Sequence, residues 1–209
     1  IQPGFHRKRL EKLTEFMQSV IDLQCEDLRA KAAAGTKIDL HHFTRDAVFR
    51  IIVKAIFTDG FTEEDTARLN VTIDKVQGYI IYPVRVPFLR GPLRWLGQEK
   101  KHIGLANDVR RDIQRRIDLR RAEGPKDDLL QMLLDTRYED TGEPMTDKQL
   151  IDEVLILFAA GHETSANSLA WTIWLLLRHP DKMALVRKEI AEAEAVGPID
   201  FEGVRRLPY

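Results

Sequence analysis

Ala160-Gly161-His162-Glu163-Thr164-Ser165 interrupts a long apolar run, and the kind of interruption it makes decides how the chain is read. A glycine inside a helix forfeits about 1 kcal/mol of helix propensity. It is kept there when something must approach the backbone closely. Glu163 and Thr164 add a carboxylate and a hydroxyl where an apolar core favours Leu or Val. Three departures from core composition within one turn mark a candidate site on a helix.

The flanks predict one long helix around that turn. Thr146-x-x-Gln149 has the form of a capping box, which satisfies the first free backbone donors of a helix. No proline follows until His179-Pro180 closes the run. Thr146 to Arg178 is thus about 32 residues of helix, roughly 48 Å. Val154 to Ala160 and Leu169 to Leu177 are apolar almost all round, which predicts burial on several faces. His162 and Glu163 cut the run short of the roughly 20 apolar residues a bilayer span needs. The central helix of a soluble domain is the expected reading. At 3.6 residues per turn, Leu157, Ala160, Gly161, Thr164, Ser168 and Trp171 share one side, while His162 falls opposite as a polar packing residue.

Helices are expected almost throughout the remainder, in an all-α class. Lys8 to Lys31 places Leu10, Leu13, Phe16, Met17, Val20, Ile21 and Leu28 at helical spacing, and Gly35 ends the run. His41 to Phe57 forms a second helix; Thr62 with Asp65 caps a third, to about Tyr79; Gly97 to Arg121 forms a fourth. Pro125 starts a short helix whose positive end suits Asp127 and Asp128. Another helix runs from Pro180 to about Val196. Lys37 to Leu40 is at most an isolated short strand. Tyr82 to Pro92 is expected to be irregular, because its prolines forbid a continuous helix. Residues 1–209 read as one helical unit without an internal boundary.

Several segments together resemble one family. Ala160 to Ser165 is similar to the oxygen-binding turn of the cytochrome P450 monooxygenases, small-Gly-x-acid-Thr-small. Leu176-Leu177-Arg178-His179-Pro180-Asp181, running into Val186 to Ile190, resembles that family's passage into its next helix. Asp127 to Leu134 resembles the short helix before the central one, and Ile1-Gln2-Pro3-Gly4-Phe5 resembles the approach to its fourth helix. The similarity keeps order and spacing across essentially the whole chain. The family's haem-ligating Phe-x-x-Gly-x-x-x-Cys-x-Gly loop and Glu-x-x-Arg helix are not in this sequence. The chain therefore reads as an internal piece of such an enzyme, inactive alone.

The resemblance implies a haem-thiolate monooxygenase that inserts one O2-derived oxygen atom into an organic, lipophilic substrate. Its cofactor would be haem b, iron protoporphyrin IX, with electrons from NAD(P)H through a reductase, ferredoxin or flavodoxin. Glu163 and Thr164 would be the catalytic pair, the first carrying protons and the second bonding the oxygen or an adjacent water. Ala160, Gly161 and Thr164 would lie against the cofactor, and Leu157 and Ala160 against substrate. Tyr82 to Pro92 would form a lid over the substrate entrance, or else a loop packed on the surface. The second reading is a non-catalytic helical scaffold that self-associates through the uncovered central helix.

Composition agrees and excludes other chemistries. Of 209 residues, 44% are hydrophobic and 31% charged, enough apolar content for a sizeable core. Lys+Arg of 32 against Asp+Glu of 33 leaves a net charge of −1, so nucleic acid is not an expected partner. A cytoplasmic location is expected. Cys25 is the single cysteine, which rules out an internal disulfide or a thiolate zinc cluster, and no metal ligands are assigned. His162-Glu163 would begin a zinc-protease motif, but Ala166 stands where its second histidine belongs. A di-iron bundle needs Glu-x-x-His pairs, and on the central helix Glu153 and Glu163 are followed three on by Ile156 and Ala166 instead.

Overall fold

The computed structural model describes residues 7–58 and 60–208, and these are helical nearly throughout. The resemblance at Ile1 to Phe5 and the side chain of Leu10 lie outside the described residues. In chain order the helices are α1 (Arg7–Ala33), α2 (Leu40–Phe57), α3 (Glu63–Arg85), α4 (Arg90–Trp95), α5 (Gln98–Glu123), α6 (Leu129–Asp135), α7 (Asp147–Arg178) and α8 (Pro180–Val196). Short 3-10 turns occupy Pro87–Leu89 and Gly203–Arg206. The chain divides into two compact units, residues 56–155 and residues 1–55 with 156–209. Residues 147–155 of α7 belong to the former and 156–178 to the latter.

In the 56–155 unit, α5 buries Val109, Ile113 and Ile117 at i, i+4 and i+8, one stripe of a 3.6-residue period. Leu69 and Ile73 of α3, four hydrophobic residues of α6, and Leu150, Ile151 and Val154 of α7 complete the core. Its polar centre is Asp128. The carboxylate caps α6 by accepting from the Gln131 backbone N–H at 3.0 Å. It also accepts from Arg120 Nη1 and Nη2 at 2.6 and 2.5 Å, both side chains being almost wholly buried. The hydroxyl of Thr58 adds a fourth bond at 2.9 Å. That threonine has φ +55°, left-handed backbone that a β-branched residue seldom adopts, so the bond fixes a strained turn.

In the other unit, α2 packs on α7. The Phe49 ring stacks on Phe158 with centroids 5.6 Å apart and meets the edge of His162 at 5.0 Å. Val48, Val53 and Ala166 close this core. Beyond α8, the Arg206 guanidinium donates to the carbonyls of Gly197 and Pro198 and so holds the chain after the helix end.

The helix starts read from the sequence stand where their caps are. Asp65 N–H donates to Thr62 Oγ1 at 3.1 Å, and the Thr146–Gln149 box is closed in both directions. Four expectations need correction. The helix α3 does not stop near Tyr79 but runs through Pro83 to Arg85, and a 3-10 turn and α4 follow, so Tyr82 to Pro92 is largely helical. Pro83 sits in the last turn, where it forfeits a single backbone bond, and Val86 N–H still reaches Tyr82 O at 2.9 Å. The short helix starts at Leu129 rather than at Pro125, because the Asp128 side chain defines its first turn. Lys37 to Leu40 forms no strand; the only β pairing among the described residues is the bridge between Arg137 and Pro144.

The fourth correction concerns α7. One stripe is buried, Ile151, Val154, Phe158, His162 and Ala166, rather than several faces. Among the described residues Ile156, Leu169, Trp171, Trp174, Leu175 and Leu177 stay exposed, Trp171 at 62%. Within Leu169 to Leu177, where burial is expected, Trp171 and Trp174 instead meet edge to face at 5.3 Å on the surface, with the Arg178 guanidinium over Trp174. The helices present in this unit cover a single side of α7, and nothing in helical periodicity says which of several apolar sides that is.

Candidate functional site

The buried stripe sets the rotation of α7, and this leaves the sequence-predicted site residues on the open side. Ala160, Glu163, Thr164, Ser168 and Trp171 are exposed, while Leu157 and Gly161 are half-buried. The open side therefore brings together Ala160, Glu163 and Thr164, with the half-buried Gly161 at its edge. A methyl group on Gly161 would meet Ile52 Cδ1 of α2 at 3.1 Å, so close helix packing is one reason for the glycine. Its backbone still borders the open strip.

Thr164 Oγ1 donates to the Ala160 carbonyl at 2.5 Å, the back-bond available to a mid-helix hydroxyl. Its hydrogen is committed to the backbone, and its oxygen keeps lone pairs facing outward to accept from water. Ser168 and Thr172 repeat the arrangement one and two turns on, at 2.9 and 2.8 Å. Glu163 makes no hydrogen bond or ion pair among the described residues, so the structural pairing with an arginine or lysine that could explain it is not found there. An exposed, unpaired carboxylate next to an acceptor hydroxyl can carry protons between solvent and whatever lies over Ala160.

His162 occupies the opposite side, fully buried. Its Nε2–H donates to the Arg45 carbonyl at 3.2 Å, while Nδ1 is buried without a partner. Burial pushes the imidazole below its ordinary pKa, and the nearby Arg45 guanidinium acts in the same direction. It is a neutral packing residue, as its position on the helix predicts.

Sequence reasoning missed one link to the strip. The His41 ring, at the first turn of α2, donates through Nε2 to Asn167 Oδ1 at 2.9 Å. Asp39 accepts from the His42 backbone N–H, which holds its carboxyl below the usual range. No group of three or more His, Cys, Asp or Glu side chains suited to a metal ion occurs among the described residues. Cys25 is half-buried on α1. The groove lined by Arg68, Asp108, Arg111, Asp112 and Arg115 pairs its own charges, Arg68 with Asp65 and Asp112, and Arg111 with Asp108. Among the described residues, no helix is long and apolar enough to cross a membrane.

The cytochrome P450 family model matches residues 1–209. A self-sufficient cytochrome P450 monooxygenase of Penicillium camemberti is 37% identical over 228 residues, covering 100% of this chain and 20% of the relative. Cyclooctatin synthase of Streptomyces melanosporofaciens is 27% identical over 212 residues, covering 100% of this chain and 45% of that protein. The chain thus spans about a fifth of the fungal relatives of this kind and under half of the bacterial one. Among solved structures, a crystal structure of a cytochrome P450 superposes with a TM-score of 0.78 at 23% identity, over 98% of this chain and 45% of that one. A zebrafish cytochrome P450 with abiraterone gives 0.75 at 23% identity, over 100% and 47%. These last two establish a shared fold. With a family match from first residue to last, and the glycine–acid–threonine turn on the open side of its longest helix, the chain belongs to the cytochrome P450 family.

Proposed function

We propose that this chain is the helical part of a haem-thiolate monooxygenase that faces the oxygen-binding side of the cofactor, and that the whole protein inserts one O2-derived oxygen atom into a lipophilic substrate. The observation that carries the proposal is the open side of α7. Ala160 offers a small exposed surface, Thr164 an acceptor oxygen and Glu163 an unpaired carboxylate, all within two turns. These residues fit the distal face of a haem. The strip itself holds no cysteine that could supply the thiolate, since Cys25 lies on α1.

When bound, the haem would supply oxygen activation, using electrons from NAD(P)H delivered by a reductase, ferredoxin or flavodoxin. The chain's own residues govern the protons. Thr164, its hydrogen held by Ala160 O, accepts from a water and fixes that water's position. Glu163 exchanges protons with solvent and passes them to the held water. Ala160 and Leu157 bound the space for substrate, and their apolar side chains suit a lipophilic one. The full-length protein, reduced and treated with carbon monoxide, should give a thiolate-type Soret band. Turnover under 18O2 should place one labelled atom in the product. A histidine-type band, or label arriving only from water, would overturn the proposal.

A second reading rests on the exposed Ile156, Leu169, Trp171, Trp174, Leu175 and Leu177. The 209-residue chain alone would self-associate through these uncovered apolar side chains of α7, since contiguous exposed apolar surface marks an interaction site. Sedimentation at micromolar concentration should show dimers or larger species, and a monomer would refute it.

A further inference from the structure

The helix α7 is apolar along most of its length, yet next to Thr164 it carries a second polar pair one turn apart, Glu163 and Asn167. Asn167 is held from outside the helix, because His41 on α2 donates to its Oδ1 at 2.9 Å. The bond joins residues 126 positions apart and decides which way the amide points. With Oδ1 turned to His41, the Nδ2 hydrogens remain, and no bond within the described residues uses them. Side chains on a helix lean toward its N-terminus, so the Asn167 amide leans over the turn that carries Glu163. Residues at i and i+4 are neighbours on the helix surface, and an amide there can donate to a carboxylate. Glu163 makes no hydrogen bond or ion pair among the described residues, so its carboxylate is open to such a donor.

We propose that Asn167 is a positioning residue for Glu163, and that His41 sets the amide orientation that makes it one. Donation from Nδ2 gives the carboxylate a docked position on the solvent side of the strip. From there Glu163 can take up a proton and swing to the water held by Thr164. Without His41 the amide is free to reverse, and Oδ1 would then face the carboxylate and repel it. The assignment rests on the proposed role of Glu163, and it adds two residues to that role.

Two measurements on the full-length protein test it. In protein labelled with 15N at asparagine, the Asn167 side-chain amide signals should show slower hydrogen exchange with water than in Glu163→Ala, which removes the acceptor. In turnover, Asn167→Leu and His41→Leu should each lower product formed per NAD(P)H about threefold or more. Substrate affinity should be unchanged, and the double variant should be no worse than either single one. His41→Gln, which keeps an N–H donor, should restore most of the loss. Amide signals indifferent to Glu163, with coupling normal in Asn167→Leu but lost in Thr164→Ala, would sink this inference and leave the proposed function standing. Normal coupling in Thr164→Ala as well would sink both.

Discussion

Replacing Gly161 with alanine places a methyl group 3.1 Å from Ile52 Cδ1 and 3.7 Å from its Cγ1. The second distance is ordinary contact, whereas the first requires Ile52 to retreat by a few tenths of an ångström. Two effects then oppose one another. Alanine is favoured over glycine in a helix interior by about 1 kcal/mol. Overpacking a well-filled interface costs about 1–3 kcal/mol. Ile52 is only half-buried, so its δ-methyl has some room to rotate, which holds the cost to about 2 kcal/mol rather than the top of that range. The expected net destabilisation is about 1 kcal/mol. Ile52→Val removes the offending δ-carbon, and in that background Gly161→Ala should become stabilising by about 1 kcal/mol. The coupling between the two sites is then about 2 kcal/mol, within the range found for residues in contact. Urea unfolding of the four proteins, followed by circular dichroism, gives this cycle directly. Because the added methyl points at α2, haem content of the full-length protein should not change. Equal effects of Gly161→Ala in both backgrounds would refute the packing explanation. Haem loss without loss of stability would place the need for glycine on the open side.

The remaining predictions concern the two cores. Asp128→Ala leaves the buried Arg120 without its partner and uncaps α6, and should cost about 3–5 kcal/mol, read as a lowered urea midpoint. Replacing both Arg120 and Asp128 with hydrophobic residues should cost much less. Because burial holds His162 below its ordinary value of 6.5, the unfolded chain takes up a proton more readily than the folded one. Stability should therefore be full above about pH 6.5 and decline as pH falls through that value toward the lower folded one. His162→Phe should remove that part of the pH slope, and an unchanged slope would show that His162 is not its source.

Local features of the fold were legible, and features set by distant partners were not. The caps at Thr62 and Thr146 depend on residues three apart, so their sequence patterns are sufficient. The side of α7 that carries Thr164 followed from helical period alone, as did the opposite placement of His162. Pro83 was read as a helix breaker because its position in the last turn of α3 depends on where that helix ends. Trp171 and Trp174 lie in a run whose apolar composition predicts burial, but burial depends on which neighbours are present. The reason for Gly161 was half legible: the sequence says that something approaches closely, and only the packing identifies Ile52. The His41–Asn167 bond leaves no periodic or motif signal across 126 residues.

In the proposed function, Thr164 on the open side of α7 positions a proton-donating water at the site of oxygen activation. Product formed per NAD(P)H consumed in full-length Thr164→Ala tests it most directly, with hydrogen peroxide measured alongside. The hydroxyl is exposed and its one bond is to its own helix, so folding and substrate binding should stay near normal. Coupling should fall sharply, with the lost reducing equivalents recovered as peroxide or water, and Thr164→Ser should retain most of it. Coupling in Thr164→Ala equal to that of the unaltered protein would contradict the account.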